Sequence, residues 1–149
     1  MKILYKILLT TLALLTLSAC ADNKKYRIGV SQCSQDDWRK KMNDEIQREI
    51  MLHEDATVEI RSADDNSAKQ IADLHYFVDN DFDIIIVSPN EAAALTPVID
   101  DIYRKGIPVV VFDRNINSDS YTARIGVNDY DLGRSAAHYA INILGKSPT

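Results

Sequence analysis

The sequence of 149 residues lacks the features that mark several common classes of protein. Its net charge is −5 and its lysines and arginines form no basic stripe, which argues against a nucleic-acid partner. Neither glycine-rich phosphate-binding pattern, G-x-G-x-x-G or G-x-x-x-x-G-K-S/T, is present, so no nucleotide cofactor is expected. The G-x-S-x-G turn of serine hydrolases is also absent. At 46% hydrophobic and 26% charged residues, the composition is that of one ordinary globular domain.

The first twenty residues differ from the rest and predict a signal peptide over residues 1–20. Two lysines accompany an apolar run over residues 7–17, which is short for a membrane span and has the length of a signal-peptide core. The stretch LSAC that ends at Cys20 resembles the lipobox of bacterial lipoproteins, and this resemblance implies cleavage before Cys20 and a lipid on its thiol. Residues 21–25 would form a polar tether. The alternative, a buried N-terminal helix, fits this charge pattern less well.

Cysteine and histidine are scarce. If Cys20 is lipidated, Cys33 has no partner for an intrachain disulfide, and no nearby His–Asp pattern suits a nucleophile. We therefore expect Cys33 to be a small packing residue. His53, His75 and His138 fall in or at the end of predicted helices without paired ligand spacing, so surface or helix-packing roles are expected and no metal site.

From residue 26 onward the apolar pattern alternates between strands and helices. The predicted strands span residues 26–31, 57–63, 82–88, 108–113 and 122–128. The predicted helices span residues 36–52, 67–80, 91–105 and 130–144, the second with Asn66 or Ser67 as its cap. Such alternation implies parallel pairing through right-handed crossovers, and the most apolar strands suit a sheet covered on both faces. The predicted fold class is α/β, a doubly wound parallel-sheet sandwich over residues 26–145, and residues 146–149 have the composition of a truncated linker.

Polar groups follow every predicted strand. In a sheet of this class, ligands bind outside the carboxyl ends of the strands, near the point where the strand order reverses. The residues after the strands include Gln35, Trp38, Ser88, Asp113, Arg114, Asn128 and Asp129.

The Asp113–Arg114 pair ends a strand that otherwise consists of valines and a phenylalanine. A guanidinium offers a fork of donors and a carboxylate accepts hydrogen bonds, so together they match the neighbouring hydroxyls of a sugar. Trp38 would add an apolar face for the C–H groups of a sugar ring. In the other interpretation the two charges form a salt bridge or a cap that orders their loop. Residue chemistry alone leaves both interpretations open.

Four stretches carry a family resemblance: YRIGVSQCSQDDW, DDNSAKQIADLHYFVDNDFDIIIVSPNE, KGIPVVVFDRN and IGVNDYDLGRSAAHYAI. They resemble the N-terminal lobe of ribose-type (type I) periplasmic sugar-binding proteins, whose fold also serves as the effector domain of lactose-repressor-like regulators. The resemblance covers residues 26–145, and P-V-V-V-F-D-R and N-D-Y-x-x-G-R are its most specific elements. It implies two lobes that close around a sugar, and the C-terminal lobe is missing from this sequence.

The resemblance also implies a set of sugar-binding residues. In the family, an Asp–Arg pair after the fourth strand hydrogen-bonds sugar hydroxyls, an aromatic residue after the first strand stacks on the ring, and the residue that ends the third strand adds a polar contact. The matching positions are Asp113, Arg114, Trp38 and Ser88, with Gln35 before the aromatic residue and Asn128 or Asp129 after the fifth strand. Asp37 stands where the family often has a second aromatic residue, which leaves the identity of the sugar open.

Three functions remain as hypotheses. GVSQCSQDDWRKKMNDEI and neighbouring stretches are most similar to the sensor modules of hybrid two-component regulators of gut Bacteroidetes, which implies a periplasmic, membrane-anchored sensor of a small sugar, coupled to a histidine kinase. LSAC favours instead a solute-binding lipoprotein that delivers sugar to an ABC permease. The third is an enzyme such as a glycosidase, with its acids among Asp36, Asp37, Asp64 and Asp65. Adjacent acids at a helix start more often favour the helix dipole, so no enzyme is expected.

Overall fold

The computed structural model describes residues 25–145 of the chain. The predicted signal peptide over residues 1–20 with its lipidated Cys20, residues 21–24 of the predicted tether, and the predicted linker over residues 146–149 lie outside the described residues. Among the residues that are described, no helix is both long enough and apolar enough to cross a membrane.

Within residues 25–145, five strands and four helices follow one another in the predicted order. The strands are β1 (Tyr26–Gln32), β2 (Ala56–Ser62), β3 (Ile84–Val87), β4 (Val109–Phe112) and β5 (Ala123–Ile125). The helices are α1 (Asp37–Ile50), α2 (Ser67–Asp79), α3 (Ala92–Arg104) and α4 (Asp129–Leu144). All strands pair in parallel in the order β2-β1-β3-β4-β5, which confirms the predicted doubly wound α/β fold.

Three strands, β3, β4 and β5, are shorter than predicted, and β3 and β5 lose the most residues. The backbone N–H of Phe82 donates to a carbonyl of α2, so β3 begins after it. β5 ends at Ile125 because the chain soon reaches Asn128, whose side chain accepts hydrogen bonds from the first backbone N–H groups of α4. Asn66 caps α2 in the same way, as predicted.

The main core lies between one face of the sheet and helices α2 and α3. The fully buried strand residues on this face are Ile85, Val87, Val109 and Val111, and the helices supply Leu74, Phe77, Leu95, Ile99 and Ile102. Gly29 of β1 makes the close approach of α2 possible, because a Cβ atom at this position would lie only 2.7 Å from the ring of Phe77.

The opposite face of the sheet is covered less completely. Ile84, Ile86 and Val110 alternate with the core residues along β3 and β4, and they are only half-buried. α1 lies over this face, where Gln32 at the end of β1 donates to the Asn43 side chain at 2.6 Å. α4 contributes no buried residue, so among residues 25–145 the packed body ends at β5. The predicted domain limit at residue 145 therefore stays a prediction.

Candidate ligand-binding site

The strand order reverses between β1 and β3, and the carboxyl ends of these strands mark the place where folds of this class bind ligands. Ser88 follows β3 directly and is fully buried, with its hydroxyl oxygen 3.8 Å from the Sγ atom of Cys33. Cys33 is itself fully buried, as expected of a packing residue. The buried amide of Gln70 in α2 donates to the Ser31 hydroxyl at 3.1 Å and to the Ser88 backbone oxygen at 2.8 Å. The ends of β1 and β3 are thus tied to α2.

Asp113 follows β4 in the left-handed backbone conformation, with φ of 61°. Aspartate adopts this conformation more readily than most residues because its short polar side chain can hydrogen-bond locally. Its backbone N–H donates to the carbonyl of Ile125 at 2.8 Å, which continues the link between β4 and β5. Its carboxylate Oδ2 lies 2.7 Å from Nη2 of Arg39, so the end of β4 is joined to α1.

Arg39 is the centre of a buried polar network. Its side chain is only 7% exposed. Nη1 donates to Asp36 at 2.9 Å, and Nη2 donates to Asp113 at 2.7 Å and more weakly to the Ser88 hydroxyl at 3.4 Å. A charge removed from water in this way is stable only when it is paired, and here two carboxylates compensate it.

Arg114 does not pair with Asp113 in the part of the chain that the structure describes. Its Nη1 donates to the backbone oxygen of Asn90 at 2.9 Å. The backbone N–H of Asn90 in turn donates to Oε1 of Gln70 at 2.8 Å. Asp113 and Arg114 are therefore linked to the segment after β3 by separate hydrogen bonds. Asp113 is linked to Ser88 through Arg39, and Arg114 bonds Asn90 directly.

An open cleft of about 300 Å³ lies beside Asp113. Its lining consists of Trp38 and Met42 from α1, Phe112 and Asp113 at the end of β4, and Ile125, Gly126 and Val127 at the end of β5. Trp38 is 56% exposed, and the guanidinium carbon of Arg39 lies 5.3 Å from the centroid of its ring. The cleft thus combines an aromatic face and a carboxylate with a largely apolar lining.

The other candidate residues do not line this cleft. The exposed amide of Gln35 donates to Oδ1 of Asp64 at 2.9 Å. Asn128 and Asp129 are exposed at the start of α4, where Asn128 is the cap. The side chain of Ser88 has no exposure to solvent. Of the predicted site residues, the structure brings Trp38 and Asp113 into one cavity.

Three of the four acids named as enzyme candidates, Asp36, Asp37 and Asp64, have separate side-chain partners. Asp36 caps α1, and the hydrogen bond from the backbone N–H of Arg39, together with one from the Ser34 hydroxyl, lowers the pKa of Asp36 from 3.8 to about 2. Asp37 is exposed and lies 3.3 Å from Lys40. Within residues 25–145, no group of three or more histidine, cysteine or acidic side chains is arranged to hold a metal ion.

The predicted site residues did not include Arg39, Asn90 or Gln70, which hold the ends of the strands. A partial signal existed, because Asp36 and Arg39 are three residues apart at a helix start, a spacing at which opposite charges meet. The contact of Arg39 with Asp113 spans 74 residues of chain, and no local pattern indicates it.

The sheet is parallel, its switch point is held by hydrogen bonds from α2, and an aromatic cleft lies beside a strand-end carboxylate. These features are typical of α/β ligand-binding lobes. Residues 28–148 match the family model described as periplasmic binding protein domain. The chain belongs to this family, which confirms the resemblance found in the sequence.

Curated relatives cover most of this chain. The D-xylose-binding periplasmic protein of Haemophilus influenzae is 25% identical over 143 residues, which cover 92% of this chain and 41% of the relative. The protein of the same name from Escherichia coli is 23% identical, with the same two coverages. This chain therefore spans about two fifths of the length of these relatives, and both are named as binding proteins rather than as enzymes.

Solved structures give the same result. The fructose-binding periplasmic domain of the hybrid two-component system BT1754 is 54% identical, with a TM-score of 0.77 over 80% of this chain and 40% of that one. The myo-inositol-binding protein of Caulobacter is 26% identical, with a TM-score of 0.72 over 78% of this chain and 40% of that one. This chain therefore shares the type I binding-protein fold with a domain of a two-component system and with a myo-inositol-binding protein.

Proposed function

We propose that the chain supplies one sugar-binding lobe of a periplasmic sensor, the input module of a hybrid histidine kinase and response regulator. The observation that carries this proposal is the cleft that Trp38 and Asp113 share. An indole packs against the C–H groups of a sugar ring while a carboxylate accepts hydrogen bonds from its hydroxyls. The 54% identity to a fructose-binding domain of a hybrid two-component system supports both the ligand class and the sensor role.

Each predicted site residue has a place in this proposal. Asp113 and Arg114 bind sugar hydroxyls and Trp38 stacks on the ring. Gln35, Asn128 and Asp129 add polar groups from the segments that follow β1 and β5, and buried Ser88 contributes through its contact with Arg39. A lobe beyond this sequence covers the other face of the sugar, because a single lobe leaves that face in water and binds weakly.

In this proposal the protein lies in the periplasm and is held at the membrane, by a lipid on Cys20 or by a membrane-spanning segment of the longer parent protein. The lipobox-like LSAC favours a second candidate, a solute-binding lipoprotein whose partner is an ABC permease. The coding sequence after Thr149 distinguishes the two. A histidine kinase domain after the second lobe supports the sensor, whereas a stop codon after the second lobe, beside permease genes, supports the transporter.

Calorimetry on the full chain, as its gene encodes it, tests the ligand class. The panel contains fructose, D-xylose, ribose, L-arabinose and myo-inositol. We expect one of these to bind, and we expect Asp113→Ala and Trp38→Ala each to weaken its binding by about tenfold or more.

Asp44→Ala is the matched control, because Asp44 is an exposed acid on α1 outside the cleft. We expect this variant to bind the best sugar with unchanged affinity. Absence of binding across the panel, or full binding by Asp113→Ala, would contradict the proposal.

A further inference from the structure

We infer that Arg39 is the positioning residue that holds Asp113 ready for sugar, an inference that rests on the proposed function. The Arg39 side chain is 7% exposed, whereas that of Asp113 is 38% exposed. Arg39 therefore has almost no surface of its own to offer a ligand. It acts on the ligand through the carboxylate that it holds at 2.7 Å.

Arg39 can position Asp113 because it is itself held. Its Nη1 lies 2.9 Å from Asp36, and its own backbone N–H donates to the same carboxylate at 3.0 Å. Its Nη2 also reaches the Ser88 hydroxyl at 3.4 Å, at the end of β3. The orientation of Asp113 is thus determined by the start of α1 and the switch point, rather than by its own loop.

This arrangement requires arginine. The two terminal nitrogens of one planar guanidinium contact two different carboxylates, those of Asp36 and Asp113. A lysine has one nitrogen, which cannot occupy both positions. A carboxylate that is already oriented loses less conformational freedom on binding, so loss of the fork weakens affinity even though Arg39 does not touch the sugar.

A double-mutant cycle on the full chain tests the inference by calorimetry with the best sugar of the panel. Arg39→Met is made in the native background and in an Asp113→Asn background, where asparagine tolerates the positive φ of this position. We expect Arg39→Met to weaken binding about tenfold in the native background and to have little further effect beside Asp113→Asn. The matched control is Lys40→Met, which removes the neighbouring exposed cation. It should leave the sugar affinity unchanged in both the native and the Asp113→Asn background.

A general structural role for Arg39 would weaken binding equally in both backgrounds, and that result overturns the inference. If Arg39→Met does not fold, Arg39→Lys takes its place in the cycle. Lysine keeps the positive charge but lacks the second terminal nitrogen that contacts the other carboxylate. Binding by Arg39→Lys as tight as that of the native chain overturns the inference, and weakened binding that disappears beside Asp113→Asn supports it.

The two proposals fail in different ways. If Asp113→Asn binds sugar like the native chain, the proposed site is wrong and the role of Arg39 is wrong with it. If Asp113→Asn weakens binding while the folded Arg39 variants do not, only the inference about Arg39 is wrong.

Discussion

The buried side chain of Gln70 accepts a hydrogen bond from the backbone N–H of Asn90, with 2.8 Å between Oε1 and the nitrogen. The Nε2 atom of the same amide donates to the backbone oxygen of Ser88 and to the hydroxyl of Ser31. One amide therefore connects the ends of β1 and β3 with the loop that holds Arg114.

Gln70→Leu tests this connection. Leucine keeps most of the volume but leaves buried backbone and hydroxyl groups without partners, so we expect the free energy of unfolding to fall by about 2–4 kcal/mol. Urea denaturation measures the free energy of unfolding. Gln47→Leu on the exposed side of α1 is the control, and we expect a change within about 0.5 kcal/mol. Equal effects of the two substitutions would mean that the amide of Gln70 contributes nothing specific.

Arg114→Lys should weaken sugar binding about threefold to tenfold. We expect the free energy of unfolding to change little. The arginine can hold the Asn90 oxygen with Nη1 while N–H groups on its other nitrogens face the ligand, but an ammonium has all its N–H groups on one nitrogen and cannot place donors at both positions. Calorimetry gives the affinity and urea denaturation the stability. The control is Arg104→Lys at the exposed end of α3, which should bind normally. Unchanged affinity of Arg114→Lys would show that the fork of this arginine is not used.

Gly29→Ala should destabilise the fold by about 1–3 kcal/mol, because the added Cβ atom would lie 2.7 Å from the Phe77 ring. Gly133→Ala is the matched control, since nothing lies within 4 Å of a Cβ atom at this position in α4. We expect it to be neutral or slightly stabilising, because alanine favours a helix over glycine. Thermal denaturation compares the two, and a harmless Gly29→Ala would mean that α2 can move away from β1 at little cost.

The pH dependence of stability should contain a contribution from Asp36. The backbone N–H of Arg39 and the Ser34 hydroxyl lower the pKa of Asp36 from 3.8 to about 2 in the folded chain. A carboxyl group whose pKa is lower in the folded than in the unfolded chain stabilises the fold fully above its unfolded pKa. This contribution is lost as the pH falls from 3.8 towards 2.

Asp36→Asn isolates this contribution, because asparagine still caps a helix but carries no charge. Urea denaturation at about pH 6 and about pH 3 should show a smaller decline for this variant than for the native chain. Asp44→Asn, at an exposed position on α1, should decline like the native chain. A decline of Asp36→Asn identical to that of the native chain would contradict the expected role of this carboxyl group.

Local patterns were sufficient to predict the elements and their order. The valines of β4 and the polar residues that follow it identify a strand that leaves the core at Asp113, and Asn66 identifies the start of α2. These features depend on residues close together in the chain, where periodicity and capping chemistry operate.

The interior of the site depends on contacts between residues far apart in the chain, and no local sequence pattern indicates them. Trp38, Met42, Ile46 and Ile50 recur every four residues, a spacing that predicts one packed face of α1. Trp38 is nevertheless 56% exposed, because the structure leaves an open cleft beside the end of β5. The polar group at Ser88 was predicted, but its complete burial depends on Cys33 and Arg39 packing above β3. The helix α4 was predicted correctly, whereas its lack of buried residues follows from tertiary packing alone.

The burial of Arg39 between Asp36 and Asp113 also determines the electrostatic character of the site. Together with Arg114, these side chains bring two negative and two positive formal charges to one edge of the sheet, and the sum is zero. As a group, these four side chains exert little net attraction on a charged ligand, and they supply no net counter-charge to a sugar phosphate or a sugar acid. A neutral polyol needs none, and its discrimination from other neutral polyols depends on the direction of each hydroxyl group.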